Sequence, residues 1–436
     1  MKTKKSILFL LVCMFTASIL CAQDVDIVFP AYDGSHEYLS MRQSNTLYTS
    51  SFRFFSEQLD KAFPELKVLN TPIHFFCSTF ITSLLFNPIT HEEGHRAILT
   101  NLNIGSVSQP VFNKTLCAYV KGVADSTLQN LRDTDLPMFI RLHTAGLESD
   151  YCLMKNDLEL MSFDLDRNTS NFFAKDRKLN LKVLFPDYWI RLACVYVYLN
   201  SGLGDTISEK LLGTARDLVG DEEENELDRD IVGHDIYGMV HHLFQPGVEY
   251  QRYVIFSELT AEEKSFTRRI AWRALINIIS PIQLNTFNFK ITDTMFISGS
   301  AGYCIAPFGD FIDENIFFNY DKFNISFYAR QAQNRNTWFP AFGLGLVEYK
   351  PVDWFSATVR GHFWMQPENL DFNTAVGTPG GAGEVSLSFI LPSRNEEVIK
   401  GVGINIGALY KTKGFMPEIE SHDAHFRLSA GLVVRY

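Results

Sequence analysis

The residues with chemistry to offer stand close together in Asn87-Pro88-Ile89-Thr90-His91-Glu92-Glu93-Gly94-His95-Arg96-Ala97-Ile98-Leu99. Residues four apart lie on one face of a helix, so His91 and His95 can present their imidazoles to a single ion. Glu92 then sits beside the ion rather than on it, where a carboxylate can take a proton from a water that the ion activates. Metal-assisted hydrolysis is the chemistry this spacing serves; the plainer alternative is a helix face with two packed or solvated histidines. The flanks read as a helix. Asn87 suits an N-cap, Pro88 suits the first helical position because its missing N–H would be unpaired there, and Gly105 suits a stop.

The elements that must carry these groups are helical up to about residue 280. Apolar periodicity marks a short helix near 52–63, a helical pattern over 73–102 interrupted at Asn87-Pro88, and further helices over 136–163, 188–199 and 261–279. The acidic run 221–230 reads as a solvated loop. After it comes Gly233-His234-Asp235-Ile236-Tyr237-Gly238-Met239-Val240-His241-His242, dense in groups able to reach a metal or a substrate.

From residue 283 the period changes to two. Phe287, Phe289 and Ile291 alternate with polar residues. So do sets around 297–303, 325–329, 342–349, 355–365, 385–391, 402–408 and 426–436. About eight strands of this kind suffice to close a small barrel. In the final strand Phe426, Leu428, Ala430, Leu432, Val434 and Tyr436 share one face, and Arg427, Ser429, Gly431 and Arg435 the other. Apolar residues toward lipid and small or polar ones toward a lumen give such a strand. A soluble barrel with an apolar interior alternates in the same way, but its inner face would not carry Gly, Ser, Arg and His. The terminal aromatic after alternating apolar positions also resembles the C-terminal insertion signal of Gram-negative outer-membrane barrels.

Lys2, Lys4 and Lys5 before the apolar run 7–20, with Ala22 ahead of Gln23, read as a secretory signal peptide over 1–22. Net charge is −11 in 436 residues, which gives no reason to expect nucleic-acid binding. The five cysteines after residue 22 are odd in number and widely spaced, unlike a disulfide framework, and no Cys-x-x-Cys pair offers thiolates to a metal.

His91-Glu-x-x-His95 is the motif of the zincins, and the chain resembles a gluzincin-type metallopeptidase joined to a small outer-membrane β-barrel. That resemblance implies Zn2+ held by His91, His95 and a Glu on a downstream helix, with Glu92 as general base. Glu148 stands at a plausible distance, and Ala145 and Gly146 would let its helix approach the motif closely. Gluzincins place an acidic residue four positions after that Glu; here Cys152 stands there and Asp150 comes two after. Glu148 could instead pair with Arg141 or Lys155, leaving His143, Asp150 or the cluster His234/Asp235 and His241/His242 to ligate. Asp150 or Asp235 could orient a ligand imidazole through its second nitrogen. His234, Tyr237 or His241 could donate to an oxyanion. The motif after an apolar run (75–86) also resembles that of intramembrane site-2 proteases, but no set of full-length apolar helices accompanies it.

The expectation is therefore an α+β chain: a mostly α-helical zincin-like domain over 23–280, then an antiparallel β-barrel over 281–436. It would be a zinc-dependent peptidase at the outer membrane, helical domain in the periplasm, acting on envelope peptides or proteins. Its metal ligands would be His91, His95 and Glu148, with Glu92, His234 and Tyr237 catalytic. The alternative is a barrel with a helical docking module and no catalysis.

Overall fold

The computed structural model of the protein describes residues 26–34, 39–62, 87–110, 118–163, 165, 169–170, 181–182, 184–200, 225–280, 288–292, 295–320, 322–393 and 400–435. The expected signal peptide, the apolar run 75–86, Cys77, Cys117, Pro281 and Tyr436 lie outside them.

Seven α-helices are present among the described residues: α1 (Met41–Ala62), α2 (Asn87–Asn101), α3 (Asp125–Thr134), α4 (Leu136–Ser162), α5 (Leu184–Asn200), α6 (Asp235–Phe244) and α7 (Ala261–Ile278). Local sequence explains their starts. Asp135 accepts from the Met138 N–H at the head of α4, with Pro137 in its first turn. Thr260 and Glu263 form a reciprocal capping box at the head of α7. The motif helix α2 differs from expectation at both ends. Asn87 is its first residue, and its side-chain oxygen accepts from Arg191 (3.1 Å). The helix stops at Asn103 in the left-handed conformation (φ 56°), not at Gly105, and the Ile104 N–H closes onto Leu99 O.

Ten strands form one antiparallel sheet: β1 (Asp26–Asp33), β6 (Asn288–Thr292), β7 (Met295–Ala306), β8 (Gly309–Tyr320), β9 (Phe323–Gln333), β10 (Trp338–Val352), β11 (Phe355–Pro367), β12 (Gly377–Pro392), β13 (Gly401–Lys411) and β14 (His425–Arg435). The short pairs β2 (Val107–Gln109) with β3 (Tyr119–Lys121), and β4 (Thr169–Ser170) with β5 (Leu181–Lys182), stand apart. From β6 to β14 the large sheet is a meander, and β1 adds to β14. No pair joins the edge strands β1 and β6 among the described residues, so the sheet is open there.

The expected count of eight is corrected to ten. β8 escaped because Asp313, Glu314 and Asn315 interrupt its apolar contrast, yet Asp313 is buried and paired across the sheet with Arg330 (2.6 Å). β1 escaped because it lies far from the other strands in sequence. Its position also changes the expected order, since the helices fall between β1 and β6 and do not precede the whole sheet.

The two faces of the sheet differ in chemistry. One turns Asp313, Arg330, Arg360, Glu384 and Arg427 toward the helices. Tyr151 and Lys155 of α4 donate to Asp313 (2.9 and 3.2 Å), Arg360 donates to Glu159 of α4 (2.8 Å), and Arg42 of α1 donates to Glu384 (2.6 Å). A polar cavity of about 390 Å3 remains among these groups. The other face carries Phe342, Leu344, Ile404 and Leu432, each 51–59 % exposed, with further large apolar residues on neighbouring strands. No helix among the described residues is long and apolar enough to cross a membrane.

One apolar core runs through the helices into β7 and β8, joining Ile98, Leu142, Leu147 and Ile236 to Tyr303, Ile305 and Phe311. It fixes α2, α4 and α6 against one another.

Candidate metal centre

Helices α2 and α4 touch backbone to backbone. A Cβ on Gly94 would lie 2.4 Å from Ala145 O. A Cβ on Gly146 would lie 2.3 Å from His91 Nε2 and 2.5 Å from His95 Nε2, so the absence of a side chain there makes the space into which both imidazoles point.

Each histidine is held by its other nitrogen. His91 Nδ1 lies 2.8 Å from Asp150 Oδ2, and His95 Nδ1 lies 2.6 Å from Leu142 O. A carbonyl only accepts, so His95 carries its proton on Nδ1 and offers the Nε2 lone pair. The carboxylate holds His91 in the same sense. The two Nε2 atoms meet Asp235 at the start of α6: Oδ2 is 3.2 Å from His91 Nε2, and Oδ1 is 3.8 Å from His95 Nε2. His91, His95 and Asp235 are all buried, and one ligand atom from each falls within 4.8 Å of the others.

Asp235 thus stands where Glu148 was expected. Glu148 is buried, but it accepts from Arg141 Nη2 (2.7 Å) and Nε (3.1 Å) and from the Glu418 N–H (2.8 Å), which commits its carboxylate to structure. Pairing with Arg141 was the open alternative, and a bidentate pair of this kind is hard to give up once buried. Asp150 serves as the group that orients His91. Arg191 of α5 holds it in turn, donating to Asp150 Oδ1 (2.8 Å) and to Thr90 Oγ1 (2.9 Å). Arg191 was not anticipated; a buried arginine has no sequence signal apart from its place in the apolar helix α5.

Glu92 follows His91 and is half-buried. Its neighbour Glu93 is occupied by Arg96 and by Ser108 (2.7 Å), whereas Glu92 forms no hydrogen bond with any described residue. Burial, then the nearby Asp230, Asp235 and Asp150, push the Glu92 carboxyl up to about 8 against the pull of His91. Burial disfavours charge on His91, but the Asp150 and Asp235 carboxylates outweigh it and raise its pKa well above the usual histidine range while no cation competes with the proton for Nε2. His95 goes the other way: burial lowers it and Asp235 only partly restores it. For Asp235, burial is outweighed by His95 and His91, which keep the carboxylate ionised.

His234 caps the start of α6 and stacks flat on Tyr237 (centroids 3.8 Å apart, planes 14° apart). Both are buried, and neither belongs to the three-residue group around Asp235. His241 faces Glu263 (3.4 Å) and His242 Nε2 meets Gln251 O (3.0 Å). His143, one turn from Gly146, is buried with neither ring nitrogen hydrogen-bonded to any described residue.

The donor set suits a divalent cation of borderline softness. Two imidazoles held by their Nδ1 atoms and one carboxylate could offer three protein ligands to such an ion. Asp235 Oδ2 is buried and lacks a well-formed hydrogen bond, as a ligand oxygen would without its cation. No family model, curated protein or solved structure matches this chain.

Proposed function

We propose that the protein is a zincin-like, zinc-dependent peptidase of the cell envelope, carried by a β-barrel in the outer membrane. The observation that carries the catalytic reading is the convergence of His91 Nε2, His95 Nε2 and Asp235 on the space left by Gly146. His91, His95 and Asp235 would hold zinc there, and bound zinc would supply Lewis acidity toward a water and a peptide carbonyl. The chain does the rest. Asp150 and Leu142 O fix the imidazoles, and Arg191 holds Asp150 in place. Glu92, next to His91 and without a hydrogen bond to any described residue, would accept the proton of the attacking water as its carboxylate and pass it to the leaving amine. His143, a neutral buried imidazole near Asp235 and His95, has donor capacity for an oxyanion, alongside His234, Tyr237 and His241, which were expected in that role.

The membrane reading rests on the sheet. Strands β7 to β14 bear apolar and aromatic residues on the face away from the helices, and the helix-facing side is charged. Lipid is the occupant this surface suits, because an apolar band around a polar interior is the pattern of outer-membrane barrels. Ten is an even count, and β1 and β6 are the strands that would meet on closure.

Glu92→Gln tests the catalytic part. Peptidase activity, measured on a quenched peptide library with protein in detergent micelles, should fall at least about 100-fold. Its zinc content should stay at the parental level. Undiminished turnover would refute Glu92 as the base, and zinc binding with no turnover in the parent would favour the non-catalytic docking module.

A further inference from the structure

The helices join the sheet at one of its two ends. β1 pairs with Asp26 opposite Arg435 and Asp33 opposite Ser429, so it delivers the chain to the end where 412–424 links β13 to β14. β6 runs back from that side, with Asn288 opposite Ser298 and Thr292 opposite Met295. The same end carries the connections 307–308, 334–337 and 368–376; the opposite end carries 293–294, 321–322, 353–354 and 393–400.

Side chains tie the helices around the candidate metal centre to the first of these ends. Arg141 of α4 donates to Ile419 O (2.7 Å), Glu420 O (2.9 Å) and Met416 O (3.2 Å) in 412–424. Arg269 of α7 donates to Asn334 O and Arg335 O (both 3.0 Å) in 334–337. Phe372, in 368–376, packs on Phe244 and Phe266. His95 rests on Leu142 O, the residue after Arg141, so the metal centre belongs to this end.

Outer-membrane barrels turn tightly on the periplasmic side and carry their long connections outside. Here three of the four connections at the far end are two residues long. The helical end holds 368–376, 412–424 and the whole insertion between β1 and β6. We propose that the metal centre faces the exterior of the cell, and that its substrates are polypeptides arriving from outside and not periplasmic ones. This rests on the barrel reading above. It also reverses the periplasmic placement expected for a barrel of eight strands starting near residue 281, because β1 adds a crossing before the helices.

Two single-cysteine additions test it in cells that carry the protein: Glu249→Cys, in the exposed 246–249 segment after α6, and Asp353→Cys, exposed in a turn at the far end. Labelling by a membrane-impermeant maleimide is read against the parent, whose Cys152 and Cys194 are part-exposed. In intact cells Glu249→Cys should label as fully as after outer-membrane permeabilisation, and Asp353→Cys only after it. Labelling of Asp353→Cys alone in intact cells, or of Glu249→Cys only after permeabilisation, would overturn the orientation. Recovery of the chain among soluble proteins would instead remove the barrel reading.

Discussion

Gly146 does more for the site than any side chain could in its place. A methyl group there would sit within 2.5 Å of both Nε2 atoms. Gly146→Ala is expected to abolish zinc binding while costing roughly 1–3 kcal/mol of stability through overpacking; isothermal titration and thermal unfolding measure the two separately. The shared helix face of His91 and His95, with Glu92 beside it, was legible because a four-residue spacing is enough to read it. The third member of the buried group was not. Asp235 lies 140 residues from His95, and sequence favoured Glu148 by analogy of spacing. What removes Glu148 is Arg141, seven residues earlier on the same helix, turned inward to meet it. A charge pair buried along one helix looks in sequence like an exposed one.

Helices supply the second level of support. Arg191 on α5 reaches Asp150 on α4, which holds His91 on α2, so three elements fix one ring. Asp150→Asn should weaken zinc affinity by about 10–100-fold without altering the fold, as loss of an orienting carboxylate does elsewhere; competition with a chromogenic chelator reads this directly. Helix boundaries were legible for α4 and α7, where Asp135-Leu136-Pro137 and Thr260…Glu263 mark the starts. The purpose of the second histidine group was not. Burial depresses His143 to about 3 and His242 to about 2, with neighbouring histidines adding to the effect and Asp235 opposing it at His143. Their folded-state values lie below the unfolded value near 6.5. The stability they contribute is therefore present above pH 6.5 and is lost as pH falls toward 3. At pH 5 each imidazole withdraws roughly 2 kcal/mol. The unfolding midpoint should fall on acidification from pH 7 to 5, and fall less in His242→Phe; equal falls would contradict this account.

For the whole molecule, the charged groups on the helix-facing side of the sheet decided what sequence could reveal. Strands with clean alternation, such as β13 and β14, were evident. β8, whose inward Asp313 serves Arg330, Tyr151 and Lys155, was hidden by the residues that anchor the helices to the sheet. With it and β1 the sheet has ten strands, and the helical insertion moves to the opposite end from the one first expected. If the apolar face meets lipid, Ile404→Arg should impair outer-membrane insertion, at a cost of about 2–4 kcal/mol if the residue lies near the bilayer midplane. Heat-modifiable electrophoretic mobility would report the folded fraction, and an unchanged fraction would argue against lipid contact. Zinc per chain tests the metal centre most directly, measured in protein with intact secondary structure beside His91→Ala, Asp235→Ala and Glu148→Gln. One zinc in the parent and in Glu148→Gln, lost in the other two, is the expected result. Zinc that survives loss of Asp235, or a folded parent that binds none, would contradict it.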